Sequence, residues 1–174
     1  HKDCGGYGGS ASFGSELAER ETLCADLRTG RTILLEKYPT LQVDLFLESL
    51  VKEGDEVIVP ILDCTAGQMG LKRKGVNIVF ADIDDNLNID PNDVARKITS
   101  KTKAVVGVHL GGIAFNPKLN EICKQHNIPL IVDAAQHFEH CEGDYICYSF
   151  QAIKHFTTCD GGMLVLNNED MYKR

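Results

Sequence analysis

From Glu56 onward, short runs of β-branched residues alternate with amphipathic stretches, and no other feature of the chain restricts its fold as tightly. Glu56-Val57-Ile58-Val59-Pro60 opens the series. The runs from Asn77 to Asp82, Lys103 to His109 and Ile128 to Asp133 are nearly continuously apolar and end on polar residues, as strands buried on both faces do. Shorter strands are expected from Tyr145 to Phe150 and from Met163 to Leu166. Between them, Asp90-Pro91 reads as a helix start: the aspartate caps, and proline stands where its missing N–H costs nothing. Asn116-Pro117 repeats the device for a helix running to about His126. The pattern predicts an α/β fold with a mainly parallel sheet covered by helices.

Ligands of open α/β sheets gather where strands end at their carboxyl termini. Asp133 closes one apolar run, and Lys154 follows another in Ser149-Phe150-Gln151-Ala152-Ile153-Lys154, ahead of Cys159-Asp160-Gly161-Gly162. A lysine can capture an aldehyde if its amine is held in a partly desolvated pocket, and an acid can keep a heterocyclic nitrogen protonated. Those are the two requirements of pyridoxal phosphate chemistry. Each residue also has a plainer reading, Lys154 as a surface lysine after a strand and Asp133 as a helix cap. His109, at another strand end, is a third candidate, though it can equally be a histidine that only satisfies backbone carbonyls.

Other classes are disfavoured. The 174 residues carry 18 basic and 25 acidic side chains, a balance that repels nucleic acid and anionic membrane unless cations cluster. Lys72-Arg73-Lys74 is such a cluster, but it reads as a solvated helix end. No apolar run is long enough to span a bilayer, and the first residues lack a signal-peptide core, so a cytoplasmic location is expected. The seven cysteines are odd in number and irregularly spaced, the mark of reduced thiols. His137, His140, Cys141 and Asp144 are metal-ligand types without the paired spacing of a zinc site, and no metal is expected.

Residues 1–28 form a glycine-rich segment of uncertain structure without the Gly-Lys-Ser/Thr of a P-loop. Thr29-Gly30-Arg31-Thr32 precedes the apolar stretch Ile33-Leu34-Leu35 and reads as a glycine turn entering a helix, whose N–H groups could hold a phosphate.

In order and spacing, these motifs resemble the DegT/DnrJ/EryC1/StrS family of sugar aminotransferases, fold type I enzymes that use pyridoxal phosphate. The resemblance runs from Thr29 to the last residue through Gly54-Asp55-Glu56, Asp82-Ile83-Asp84, Val108-His109-Leu110-Gly111-Gly112, Asp133-Ala134-Ala135-Gln136, Ser149, Lys154 and Gly161-Gly162. It implies a three-layer, mainly parallel large domain, with residues 29–174 forming part of it. Because family members are longer, it also implies a truncated chain that lacks the small carboxyl-terminal domain. Lys154 would bond covalently to the cofactor and then move protons, and Asp133 would pair with the ring nitrogen. Gln136 would reach the ring hydroxyl, while Ser149 and the backbone around Gly30, Arg31 and Thr32 would hold the phosphate. Cys64 stands where many members carry an aromatic stacked on the ring. The implied partners are a nucleotide-linked keto sugar, an amino-acid donor such as glutamate, and a second copy of the chain in a homodimer. A sister branch that dehydrates sugars with histidine in place of the lysine, and a catalytically silent remnant, are the alternatives.

Overall fold

Residues 23–24, 32–35, 50–64, 66–159 and 161–166 are described by the computed structural model, and they build one eight-stranded sheet. The strands are β1 (Leu23–Cys24), β2 (Thr32–Leu35), β3 (Glu56–Pro60), β4 (Asn77–Ala81), β5 (Thr102–Val108), β6 (Leu130–Asp133), β7 (Tyr145–Ser149) and β8 (Gly162–Leu166). Among the described residues they are accompanied by the helices α1 (Ala66–Arg73), α2 (Pro91–Lys97) and α3 (Lys118–His126). Across the sheet the order is β1-β2-β8-β7-β6-β5-β3-β4. Pairing is parallel from β4 through β3, β5 and β6 to β7, and antiparallel from β7 through β8 and β2 to β1.

Successive side chains of a strand point to opposite faces, so a strand covered on both sides must be apolar throughout. Val57, Val59, Val106 and Ile131 pack on one face with Leu71 of α1, whereas Ile58, Val105, Leu130 and Val132 pack on the other with Val94 of α2 and Leu119 of α3. This is the expected three-layer, mainly parallel architecture. Gly107 of β5 is a spacing requirement of the second face, because a Cβ there would lie 2.7 Å from the Phe115 ring.

The helix starts follow the sequence. The Asp90 side chain accepts from Asn92 N, with Pro91 in the first turn, and Asn116 Oδ1 accepts from Lys118 N at 3.0 Å. The Lys72-Arg73 pair does lie in the last turn of α1, where cations complement the helix dipole. The amino-terminal expectation differs. Ile33-Leu34-Leu35 is not helical but belongs to β2, paired residue by residue with β8 (Ile33 opposite Leu164). Two β-branched residues, Thr32 and Ile33, beside an available antiparallel edge favour the strand over a short helix.

Candidate functional site

The carboxyl ends of the parallel strands form one edge, and four side chains expected there come from it. Asp133 is the last residue of β6, lying between Val108 of β5 and Cys147 of β7. Its carbonyl accepts the His109 amide at 3.0 Å, and its Oδ1 accepts the Ala135 amide at 2.8 Å. Burial raises this carboxyl above the usual aspartate value, while the Ala135 N–H and the positive charge of Lys154 pull it back. Lys154 and Asp133 therefore share one electrostatic environment. Lys154 is half-buried in the connection between β7 and β8, its amide donating to the Gln151 carbonyl at 2.9 Å. Bonds from Phe150 N to Gly161 O and from Thr158 N to Phe150 O close the base of that connection. Ser149, the buried last residue of β7, accepts the Gln151 amide at 3.4 Å on Oγ.

Gln136 follows Asp133 on the same turn. Its Oε1 accepts the Gly111 amide at 2.8 Å, which fixes the side-chain amide and leaves its NH₂ as the end available to an acceptor. Gly111 and Gly112 have φ of 62° and 81°, a left-handed backbone that costs glycine little. At Gly112 a Cβ would also approach the Gln136 carbonyl to 3.1 Å. Asn88, buried, fastens the loop from outside: Oδ1 accepts from Leu110 N and Nδ2 donates to the Ile113 carbonyl.

Beyond β3 lies a second acid that the sequence reading overlooked. Asp63 is half-buried, accepts the Cys64 amide at 2.6 Å and is hydrogen-bonded by Gln68. Its carboxyl is pushed up to about 6, first by burial and then by the negative charge of Asp133. The rule that places Asp133 at a strand end would have found Asp63 three residues past Pro60. Cys64 is exposed beside it.

Of the expected site residues, the structure thus places Asp133, Gln136, Ser149 and Cys64 at this edge, with Lys154 reaching Asp133 electrostatically. Gly30 and Arg31 lie outside the described residues. Thr32 is in β2, so the helix entrance expected to hold a phosphate is replaced by extended backbone there. His109 does not cap carbonyls. It stacks on Phe115 with ring centres 4.5 Å apart, accepts the Phe115 amide on Nδ1 at 3.1 Å, and lies 4.6 Å from the His137 ring. Burial, then His137, lowers its pKa to about 4. The metal-type cluster read from sequence divides: His137 and Cys141 converge on His109, His140 is exposed, and Asp144 accepts the Leu130 amide at 2.8 Å. Cys64, Cys123, Cys141, Cys147 and Cys159 are free thiols. No described helix is long and apolar enough to cross a membrane.

A mainly parallel sheet with an acid ending one strand and a lysine after the next defines the large-domain fold of type I pyridoxal phosphate transferases. The chain belongs to the DegT/DnrJ/EryC1/StrS aminotransferase family, whose model matches residues 40–174. GDP-perosamine synthase of Escherichia coli O157:H7 is 36% identical over 146 residues, which cover 78% of this chain and 40% of that protein. The aminotransferase TlmJ from Streptoalloteichus hindustanus superposes with a TM-score of 0.75 at 31% identity, covering 83% of this chain and 42% of that one. An E. coli GDP-4-keto-6-deoxy-D-mannose-3-dehydratase, solved with bound hydrated PLP, has a TM-score of 0.71 at 26% identity, over 81% of this chain and 40% of its own. The chain spans less than half the length of the curated relatives it matches.

Proposed function

We propose that this chain forms the cofactor-binding part of a pyridoxal phosphate-dependent aminotransferase that moves an amino group from an amino acid, with glutamate the expected donor, to a nucleotide-linked keto sugar. The observation that carries the reading is the placement of Asp133 at the carboxyl end of β6 with Lys154 in the connection that follows β7, where its positive charge acts on the Asp133 carboxyl. Family membership and the sugar-acting relatives support it. Surface-polysaccharide or secondary-metabolite synthesis, a cytoplasmic location and a homodimer belong to the same proposal.

The residues present fit the cofactor. Burial raises the Asp133 carboxyl by removing water from its charged form, against the Ala135 N–H and the charge of Lys154, and a protonated ring nitrogen beside it would favour that charged form. When bound, pyridoxal phosphate contributes an electrophilic aldehyde and an electron-withdrawing ring. Asp133 would hold the proton on the ring nitrogen, and Lys154 would capture the aldehyde and later carry a proton from the substrate α-carbon to the carbon that had borne the aldehyde. The NH₂ of Gln136, already aimed by its bond to Gly111, would donate to the ring hydroxyl oxygen. Ser149 Oγ would donate to the phosphate, and Cys64 would pack at the ring face without the stacking an aromatic gives.

Dehydration with a histidine in place of the lysine is the competing chemistry. Transamination is preferred because the charge that reaches Asp133 is that of Lys154, while the adjacent His155 is exposed. Titrating the purified chain with pyridoxal phosphate and reducing with borohydride tests the proposal. A near-visible absorbance band and a mass increment on the peptide containing Lys154 are expected. An unmodified Lys154 at saturating cofactor would leave a silent remnant as the better account.

A further inference from the structure

We propose that His109, His137 and Cys141 form a binding site for a borderline-soft divalent cation, zinc in the first instance, next to but separate from the cofactor pocket. Their ligand atoms lie within 4.8 Å of one another, although they come from the end of β5, the turn after β6 and the loop before β7. The second observation is on His109, which is only 4% exposed and whose Nε2 has no hydrogen-bond partner. A buried ring nitrogen left idle is rare enough to require a cause. Two imidazoles and a thiol with no carboxylate form a donor set that suits zinc and disfavours magnesium or calcium.

His137 is prepared for such a role. Its Nδ1 lies 2.8 Å from the Gly112 carbonyl, which can only accept, so the ring proton stays on Nδ1 and Nε2 keeps its lone pair. A backbone carbonyl behind the non-ligating nitrogen is the usual support of a metal-binding histidine. Cys141 is buried, its Sγ directed at the Glu139 carbonyl at 3.4 Å, and the Tyr148 hydroxyl stands 3.8 Å from the sulfur.

Binding has two proton consequences. The Cys141 thiol gives its proton to solvent as the sulfur–metal bond forms, so affinity rises with pH. His109 now accepts the Phe115 amide on Nδ1, which puts its ring proton on Nε2. Coordination through Nε2 requires that proton to move to Nδ1, and the Phe115 amide bond is given up. The ligand atoms must also draw in to about 3.5 Å, the separation set by tetrahedral zinc. An ion would then clamp the Leu110–Gly112 loop to the turn that carries Gln136.

Titrating the full chain with Co²⁺ tests the site independently of the cofactor, because tetrahedral cobalt absorbs strongly in the visible. One ion per chain is expected, with intense d–d bands and a thiolate charge-transfer band, displaced by zinc. Cys141→Ser or His137→Gln should weaken binding by about 100-fold or more, whereas His140→Gln leaves it unchanged. Should a variant fail to fold, the ring nitrogens of His109 in the unmodified chain provide the second readout: zinc should move the ring proton from Nε2 to Nδ1 in ¹⁵N spectra. Weak, pale octahedral cobalt at surface histidines only, binding indifferent to Cys141, or an unmoved His109 proton would each overturn the proposal.

Discussion

Asp93 and Asp133 are the same side chain at the same edge of one sheet, and the protein treats them in opposite ways. Asp93, in the first turn of α2, accepts the Asp82 amide at 2.7 Å, Lys97 at 2.6 Å and Arg96 at 2.9 Å. Lys97 first, and then the Asp82 amide, hold its carboxyl down at about 2. Asp133 has the Ala135 amide and the more distant charge of Lys154, and burial wins, moving it upward. An acid that belongs to the scaffold receives its counter-charges from its own chain. An acid reserved for a ligand is left short of them, and the conflict with folding marks the site.

Removing the amine should produce the largest effect. Lys154→Ala should abolish borohydride trapping and reduce amino transfer by at least about a thousandfold, since both capture and proton movement pass through this side chain. Cofactor absorbance and single-turnover assays check it. Wild-type trapping in the variant would mean that the pairing with Asp133 is incidental.

Asp133→Asn follows. Turnover should fall by about a hundredfold, the order expected when a preorganised charge is lost, while the urea midpoint holds or rises because a poorly compensated, half-buried acid has been removed. A large loss of stability would place Asp133 in the same class as Asp93 and erase the contrast.

Much of this contrast could be seen in the residue order, for a physical reason. Strands β3, β5, β6 and β7 are buried on both faces, so their composition alone marks them, and their polar ends mark the edge. Asp133 and Lys154 stand out because they follow such runs. Asp63 follows a run too, but its significance comes from the charge of Asp133, two strands away in the sheet, which the order of residues along the chain does not show. Likewise His109 meets His137 only because Val108 pairs with Asp133, a register that spacing along the chain does not encode. The strand at Thr32–Leu35 depends on β8, residues later in sequence, and a local reading naturally favoured a helix.

Asp93→Asn should invert the Asp133 result, costing about 2 kcal/mol of stability, the scale of lost charge-assisted hydrogen bonds, with cofactor capture unchanged. Its pH signature has a definite sign. With a folded pKa near 2 against an ordinary value of 3.8, the carboxylate stabilises the fold above about 4, and that contribution disappears as pH falls from about 4 to about 2. Denaturant midpoints measured across that window should fall more steeply for the wild type than for the variant. Parallel acid limbs would show that the Lys97 contact contributes little.

Asp63 gives the smallest effect and the sharpest test of whether the contrast is one of site against scaffold. Its folded pKa, near 6, lies above the ordinary 3.8, so between these values the folded chain binds more protons than the unfolded one. Stability must then fall as pH rises from about 4 to about 6, opposite in sign to Asp93. Asp63→Asn should flatten that decline and leave the acid limb below 4 intact. Because the second cause of the shift is the charge of Asp133, the decline should also shrink in Asp133→Asn, and the double variant should show less than the sum of the two. Additive behaviour would mean that burial alone raises Asp63, and that the two carboxyls at this edge act separately.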